Sequence, residues 1–162
     1  MNLFDLKTIF TNLLNSIMGS ENVRCYPYCI GLKYDRLIRI TQEEWETGDV
    51  NVIAEALLRD LKKLKMSCKL VDKTYVQTNN ENILALKIGI KWMHGDYLNY
   101  TDYHIIIKRK NGYWYFKFGQ FDPEKLALNV DIESWDWRDK RKKVPKDYYN
   151  SGIVYIALQS WF

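Results

Sequence analysis

The hydrophobic pattern of this chain changes period near residue 66, and that change limits the folds open to it. Before it, apolar residues recur at helical spacing. Leu3, Leu6, Ile9, Phe10, Leu13, Leu14 and Ile17 share one face, with Lys7, Thr11 and Asn15 on the other. This predicts an amphipathic first helix ended by Gly19. A short second helix is expected over residues 25–31. There Pro27 is tolerable only in the first turn, and Gly31 is a natural C-terminal stop. A longer third helix starts near Asp49, where Thr47-Gly48-Asp49 is capping chemistry. Its buried stripe is Ile53, Ala56, Leu57, Leu61 and Leu64, and Arg59, Lys62, Lys63 and Lys65 stay exposed.

After the change the segments are short and β-compatible. Cys68-Lys69-Leu70-Val71 is one. Residues 83–92 alternate, with Leu84, Leu86, Ile88 and Ile90 on one face and Lys87 and Lys91 on the other. Lys110-Asn111-Gly112 is a hairpin turn joining strands at residues 104–109 and 113–118, because Asn-Gly tolerates the positive φ that a tight turn needs. Residues 153–158 are apolar on both faces, which suits a strand deep in the sheet. Residues 120–150 are polar, aromatic and irregular. Helices first and strands afterwards predict an α+β domain spanning residues 1–162, with N-terminal helices packed on one face of an antiparallel sheet.

The chain has 162 residues, 47% of them hydrophobic and 15% aromatic, which is ample for a core and argues against disorder. The net charge of +4 gives no mandate for nucleic acid. The basic runs at 62–65 and 138–143 read as a solvated helix face and an exposed loop, the second interrupted by Asp139. Three cysteines are no disulfide framework and favour a reducing compartment. The N-terminus shows neither a basic region followed by an apolar stretch nor a membrane span, so the cytoplasm is the default expectation.

Candidate chemistry centres on Cys25 and His104. A cysteine on an early helix followed by a histidine on a later strand is the order of a thiol enzyme, and the chain has only two histidines. A free thiol is mostly protonated at neutral pH. The positive end of its own helix and a nearby imidazolium would each lower its pKa. Against this, cysteine is among the most buried residue types, and Cys29 and Cys68 read as core thiols. His94 lies in a glycine-containing loop and reads as incidental. Cys25 and Cys29, four apart, would share a helix face and with a histidine could bind zinc. Structural zinc sites usually show two close-spaced ligand pairs, and here there is one. No cofactor is expected.

Several short segments together resemble a known family. They are Cys25-Tyr26-Pro27-Tyr28, Asp102-Tyr103-His104, Asn111-Gly112-Tyr113-Trp114, Lys117-Phe118-Gly119, the apolar strand Ile83-Leu84-Ala85-Leu86-Lys87-Ile88, and Asn129-Val130-Asp131. Over residues 22–158 the chain is similar to a branch of the bacterial papain-like cysteine peptidases. The resemblance implies a papain-like α+β fold, Cys25 as nucleophile and His104 as general base. Where that family often carries a second histidine this chain has Phe116, which cannot orient an imidazole. Asp131, Gln120 or Asn129 would take that role, with Asp131 favoured because a carboxylate best stabilises an imidazolium.

The expected function is a thiol hydrolase or acyl transferase of papain type acting on an amide in a peptide or protein substrate, either a peptide bond or an isopeptide link. The alternative is an inactive interaction protein, such as a phage or mobile-element factor that binds a host protein through aromatics in residues 113–137. Nucleic-acid binding through residues 138–143 is a third and weaker reading.

Overall fold

A computed structural model describes residues 24–93, 98–119 and 121–159, and side chains at 90–93 and 98–100 are not described. The expected helix at residues 3–17, His94 and Gln120 lie outside the described residues. The described elements are helices α1 (Cys25–Cys29), α2 (Gln42–Glu46) and α3 (Val50–Lys63), and strands β1 (Cys68–Val71), β2 (Glu81–Met93), β3 (Leu98–Lys108), β4 (Trp114–Phe116), β5 (Glu124–Lys125) and β6 (Val154–Gln159).

Local signals account for most boundaries. α1 ends in a Schellman motif: Leu32 N–H donates to the Pro27 carbonyl, Gly31 N–H to that of Tyr28, and Gly31 has φ +75°. Asp49 caps α3 by accepting from Asn51 N–H. α2, which the hydrophobic pattern did not reveal, starts with a reciprocal capping box between Thr41 and Glu44. At the hairpin, Gly112 has φ +84° and its N–H donates to the Arg109 carbonyl.

The strands form one sheet in the order β1-β6-β2-β3-β4-β5, and every pair is antiparallel. The apolar C-terminal strand β6 is interior, between β1 and β2, as expected of a segment apolar on both faces. The hairpin of β2 and β3 pairs all the way from Ile83–Lys108 to Met93–Leu98. His104 is therefore well inside a strand of 11 residues, not at its start as the sequence suggested. The cause is the pairing of Leu98 to Asp102 with the far half of β2, a long-range contact that the polar composition of residues 98–102 concealed.

Both faces of the sheet are covered. Leu84, Leu86, Ile88, Ile105, Ile107, Ile156 and Leu158 pack against Ile53, Leu57 and Leu61 of α3 and against Tyr26, Cys29 and Ile30 of α1. The opposite face, with Ile83, Ala85, Ile106 and Ala157, is covered by Trp114, Phe116, Ile132 and Trp137. Trp114, Phe116, Phe118, Trp135 and Trp137 thus fill a core on the side of the sheet away from the helices, whereas Tyr115 packs on the helix side and Phe121 is exposed. The last part of this cover is tied down at Gly89. Ser151 bonds both the N–H and the carbonyl of Ile88, and a Cβ on Gly89 would meet the Tyr148 carbonyl oxygen at 2.1 Å.

Candidate active site

β4 is short. Its register joins Ile107 to Tyr115 and Lys108 to Trp114, and α1 packs along β3 beyond that pairing. The helix is held there from two sides. Cys29 Sγ lies 3.4 Å from the Ile105 carbonyl oxygen. Tyr26 donates its hydroxyl to Asp60 of α3, whose carboxylate also accepts two bonds from the Arg36 guanidinium. The opposing charge and the two hydrogen bonds hold the Asp60 carboxyl below its usual range, although burial alone would raise it.

This packing puts Cys25 and His104 on the wall of one cavity of about 360 Å³. Asp102, Asp139, Phe118 and Tyr149 line it too. Asp102 lies on the same face of β3 as His104, two residues away, and accepts from the Tyr149 hydroxyl at 2.9 Å and from Tyr103 N–H at 2.8 Å. Burial nevertheless raises its carboxyl above the usual range.

The His104 ring is 2% exposed and enclosed by aromatics. Phe118 stacks on it at 4.5 Å, Trp137 meets it edge-on at 6.1 Å and Tyr149 is tilted against it at 5.8 Å. Its Nε2 has no hydrogen-bond partner among the described residues. Burial pushes the imidazole down to about 3, and the Asp139 carboxylate is the charge that opposes this. At neutral pH the ring is therefore uncharged.

Cys25 is 9% exposed. Burial pushes its thiol up to about 12; the Asp102 charge adds to this, and the Ile105 N–H opposes it. The N–H groups of Cys25 and Tyr26 at the helix N-terminus lower the thiol pKa, but burial outweighs them. α1 has only five residues, so its aligned dipoles are few, and desolvation of the sulfur outweighs them. The resting pair is a neutral thiol and a neutral imidazole, not a thiolate–imidazolium ion pair.

Asp131 does not fill the third position. It is exposed and absent from the cavity wall, and its oxygens serve a local turn, accepting from Glu133 N–H at 3.1 Å and from Ser134 Oγ at 3.0 Å. Asn129 is likewise exposed, with φ +60°. The carboxylate that acts on His104 is Asp139, 9% exposed and bonded by Arg141 Nε at 2.9 Å. Its one trace in the sequence was an acidic residue inside a basic run. Cys29 is fully buried, as expected, but Cys68 is only half-buried on edge strand β1, so it is the more accessible of these two thiols. No group of three or more metal-binding side chains occurs among the described residues, and no helix there is long and apolar enough to cross a membrane.

No family model matches this chain, and neither a curated protein nor a solved structure matches it.

Proposed function

We propose that the protein is a papain-type thiol hydrolase or acyl transferase acting on an amide bond, peptide or isopeptide, of a peptide or protein substrate. The observation that carries the reading is the shared cavity wall of Cys25 and His104. Sγ attacks the amide carbonyl carbon while the imidazole, neutral at rest and with an unpartnered Nε2, takes the thiol proton. The same proton then passes to the leaving amine as the C–N bond breaks, leaving a thioester on Cys25. Water completes hydrolysis, and a second amine completes transfer. Asp139, in place of Asp131, stabilises the imidazolium formed in between. Three free cysteines suit a reducing compartment, for which the cytoplasm is the natural choice.

The test is alkylation by iodoacetamide in a Cys68→Ser background, which removes the accessible competitor. Cys25 is expected to react faster than Cys29, and His104→Ala is expected to slow it by about 10² or more, the usual contribution of a general base. Equal, slow labelling of Cys25 and Cys29, unaffected by His104→Ala, would leave no activated nucleophile.

A second reading is an inactive binding domain. The raised thiol and lowered imidazole favour it, since neither group is charged at rest. Nucleic acid fits less well. Arg138 is paired with Asp136 and Arg141 with Asp139, so both arginines of the basic run are already compensated.

A further inference from the structure

A second cavity of about 340 Å³ lies beside the first and shares Tyr149 with it. Lys87, Trp135, Trp137 and Lys146 also line it. Lys87 is the direct cross-strand partner of His104, so both side chains rise from the same face of the sheet. Its ammonium sits 5.6 Å from the centre of the Trp137 ring, which stands at 89° to the His104 ring. Among the described residues this ammonium makes no ion pair or hydrogen bond.

The charges facing this cavity do not balance. Asp136 is taken by Arg138 through two bonds at 2.9 and 2.7 Å. Glu133, which acts on Lys87 from a distance, has its own partner in Lys73 at 3.8 Å. Lys87 and Lys146 remain. Lys87 is half-buried, and burial pushes its pKa down, as expected of a cation whose water has been removed without a counter-ion in exchange. An anion from outside would supply one.

We propose that this groove, with Lys87 and Lys146 over a floor of Trp135 and Trp137, binds a carboxylate of a peptide whose neighbouring amide reaches the Cys25–His104 cavity. The half-buried Trp135 gives the peptide an apolar contact, and the two ammonium groups give charge-assisted bonds to the carboxylate. Two uncompensated cations on one short groove, Lys87 half-buried and Lys146 exposed, suit a single anionic group. A nucleic-acid backbone would need a track of cations and would bring repeated phosphates against Glu133 and Asp136. The substrate is therefore a peptide with an acidic side chain or a free C-terminus. The placement of its amide rests on the acyl-transfer reading, but the groove itself does not.

The test uses the full chain carrying Cys25→Ala, so that no probe is consumed. Acetyl-Ala-Ala-Glu-Ala-amide, acetyl-Ala-Ala-Gln-Ala with a free C-terminus and the wholly neutral acetyl-Ala-Ala-Gln-Ala-amide are titrated by calorimetry. At least one charged peptide should bind about tenfold more tightly than the neutral one, and the preferred peptide identifies the source of the carboxylate. Lys87→Gln should abolish that preference and Lys87→Arg restore it. Should Lys87→Gln fail to fold, Lys146→Gln carries the same test with a smaller loss. Equal binding of all three peptides, a preference indifferent to both lysines, or tighter lysine-dependent binding of a thymidine oligonucleotide would each overturn the proposal. Selective binding by a protein whose Cys25 is inert would keep the groove and remove the acyl-transfer reading. Cleavage without carboxylate preference would do the reverse.

Discussion

The two faces of the sheet are covered by different means. On one, α3 brings an aliphatic stripe and α1 brings Tyr26 and Cys29 against Leu84, Leu86, Ile105 and Ile107. On the other, an irregular chain brings Trp114, Phe116 and Trp137. A helix satisfies its own backbone, so its contribution to a core can be wholly apolar. An irregular cover has open carbonyls, and polar side chains must meet them. Trp137 Nε1 donates to the Ile132 carbonyl, Arg138 to that of Val144, and the fully buried Lys117 to those of Gly119 and Phe121. The ionisable groups His104, Lys117 and Asp139 are buried on or beside this face, and the site borders it. The helix face supplies the sulfur, and the aromatic face supplies the base and sets its charge.

Large truncations give the sharpest contrast. Leu57→Ala on the helix face should cost about 2–5 kcal/mol and Trp137→Ala on the aromatic face about 3–5 kcal/mol, measured by urea unfolding. Only the second should also let water reach the imidazole. The His104 ring proton resonance of Trp137→Ala should then titrate towards the ordinary value near 6.5, while in Leu57→Ala it stays unresponsive above pH 5. Matching titrations in the two variants would erase the distinction between the faces.

Next in size is the pH dependence of stability. The folded pKa of His104, about 3, lies below the unfolded value. Between roughly pH 6.5 and 3 the unfolded chain therefore binds the extra proton, and stability falls as the solution is acidified. The loss is on the order of a few kcal/mol. His104→Phe should flatten that window, and an unchanged slope would mean that the ring is more hydrated than its surroundings imply.

A smaller effect belongs to the helix side. Asp60 has a folded pKa below its unfolded one, so its contribution is present above about pH 4 and is lost as pH falls through the folded value. That window lies below most of the His104 window, so the two are separable. Asp60→Asn should cost about 1.5–3 kcal/mol at neutral pH and remove the low-pH slope. A normal acid limb in that variant would mean that the Tyr26–Asp60–Arg36 cluster does little to anchor α1.

Much of the fold was legible because its signals are short-range. The caps at Asp49 and Gly31, the turn at Asn111-Gly112 and the stripe from Ile53 to Leu64 each lie within a few residues of the structure they specify. Other features were not legible. α2 has no buried residue and so left no hydrophobic pattern. Asp131 looked the better partner for His104 because a carboxylate best stabilises an imidazolium, yet its turn faces solvent. Asp139 looked like part of a solvated loop, yet the return of residues 137–149 across the sheet carries it inwards.

The sequence by itself settled that helices precede strands, where several of them begin and end, and that Cys25 heads a short helix while His104 enters the sheet. Only the tertiary structure decided that both line one cavity, that Asp139 is the carboxylate beside it, and that thiol and imidazole rest uncharged. Periodicity and capping act between neighbours along the chain and leave a local imprint. A charge state depends on which distant side chains remove water from a group, and here Phe118, Trp137 and Tyr149, each from a different part of the chain, enclose His104.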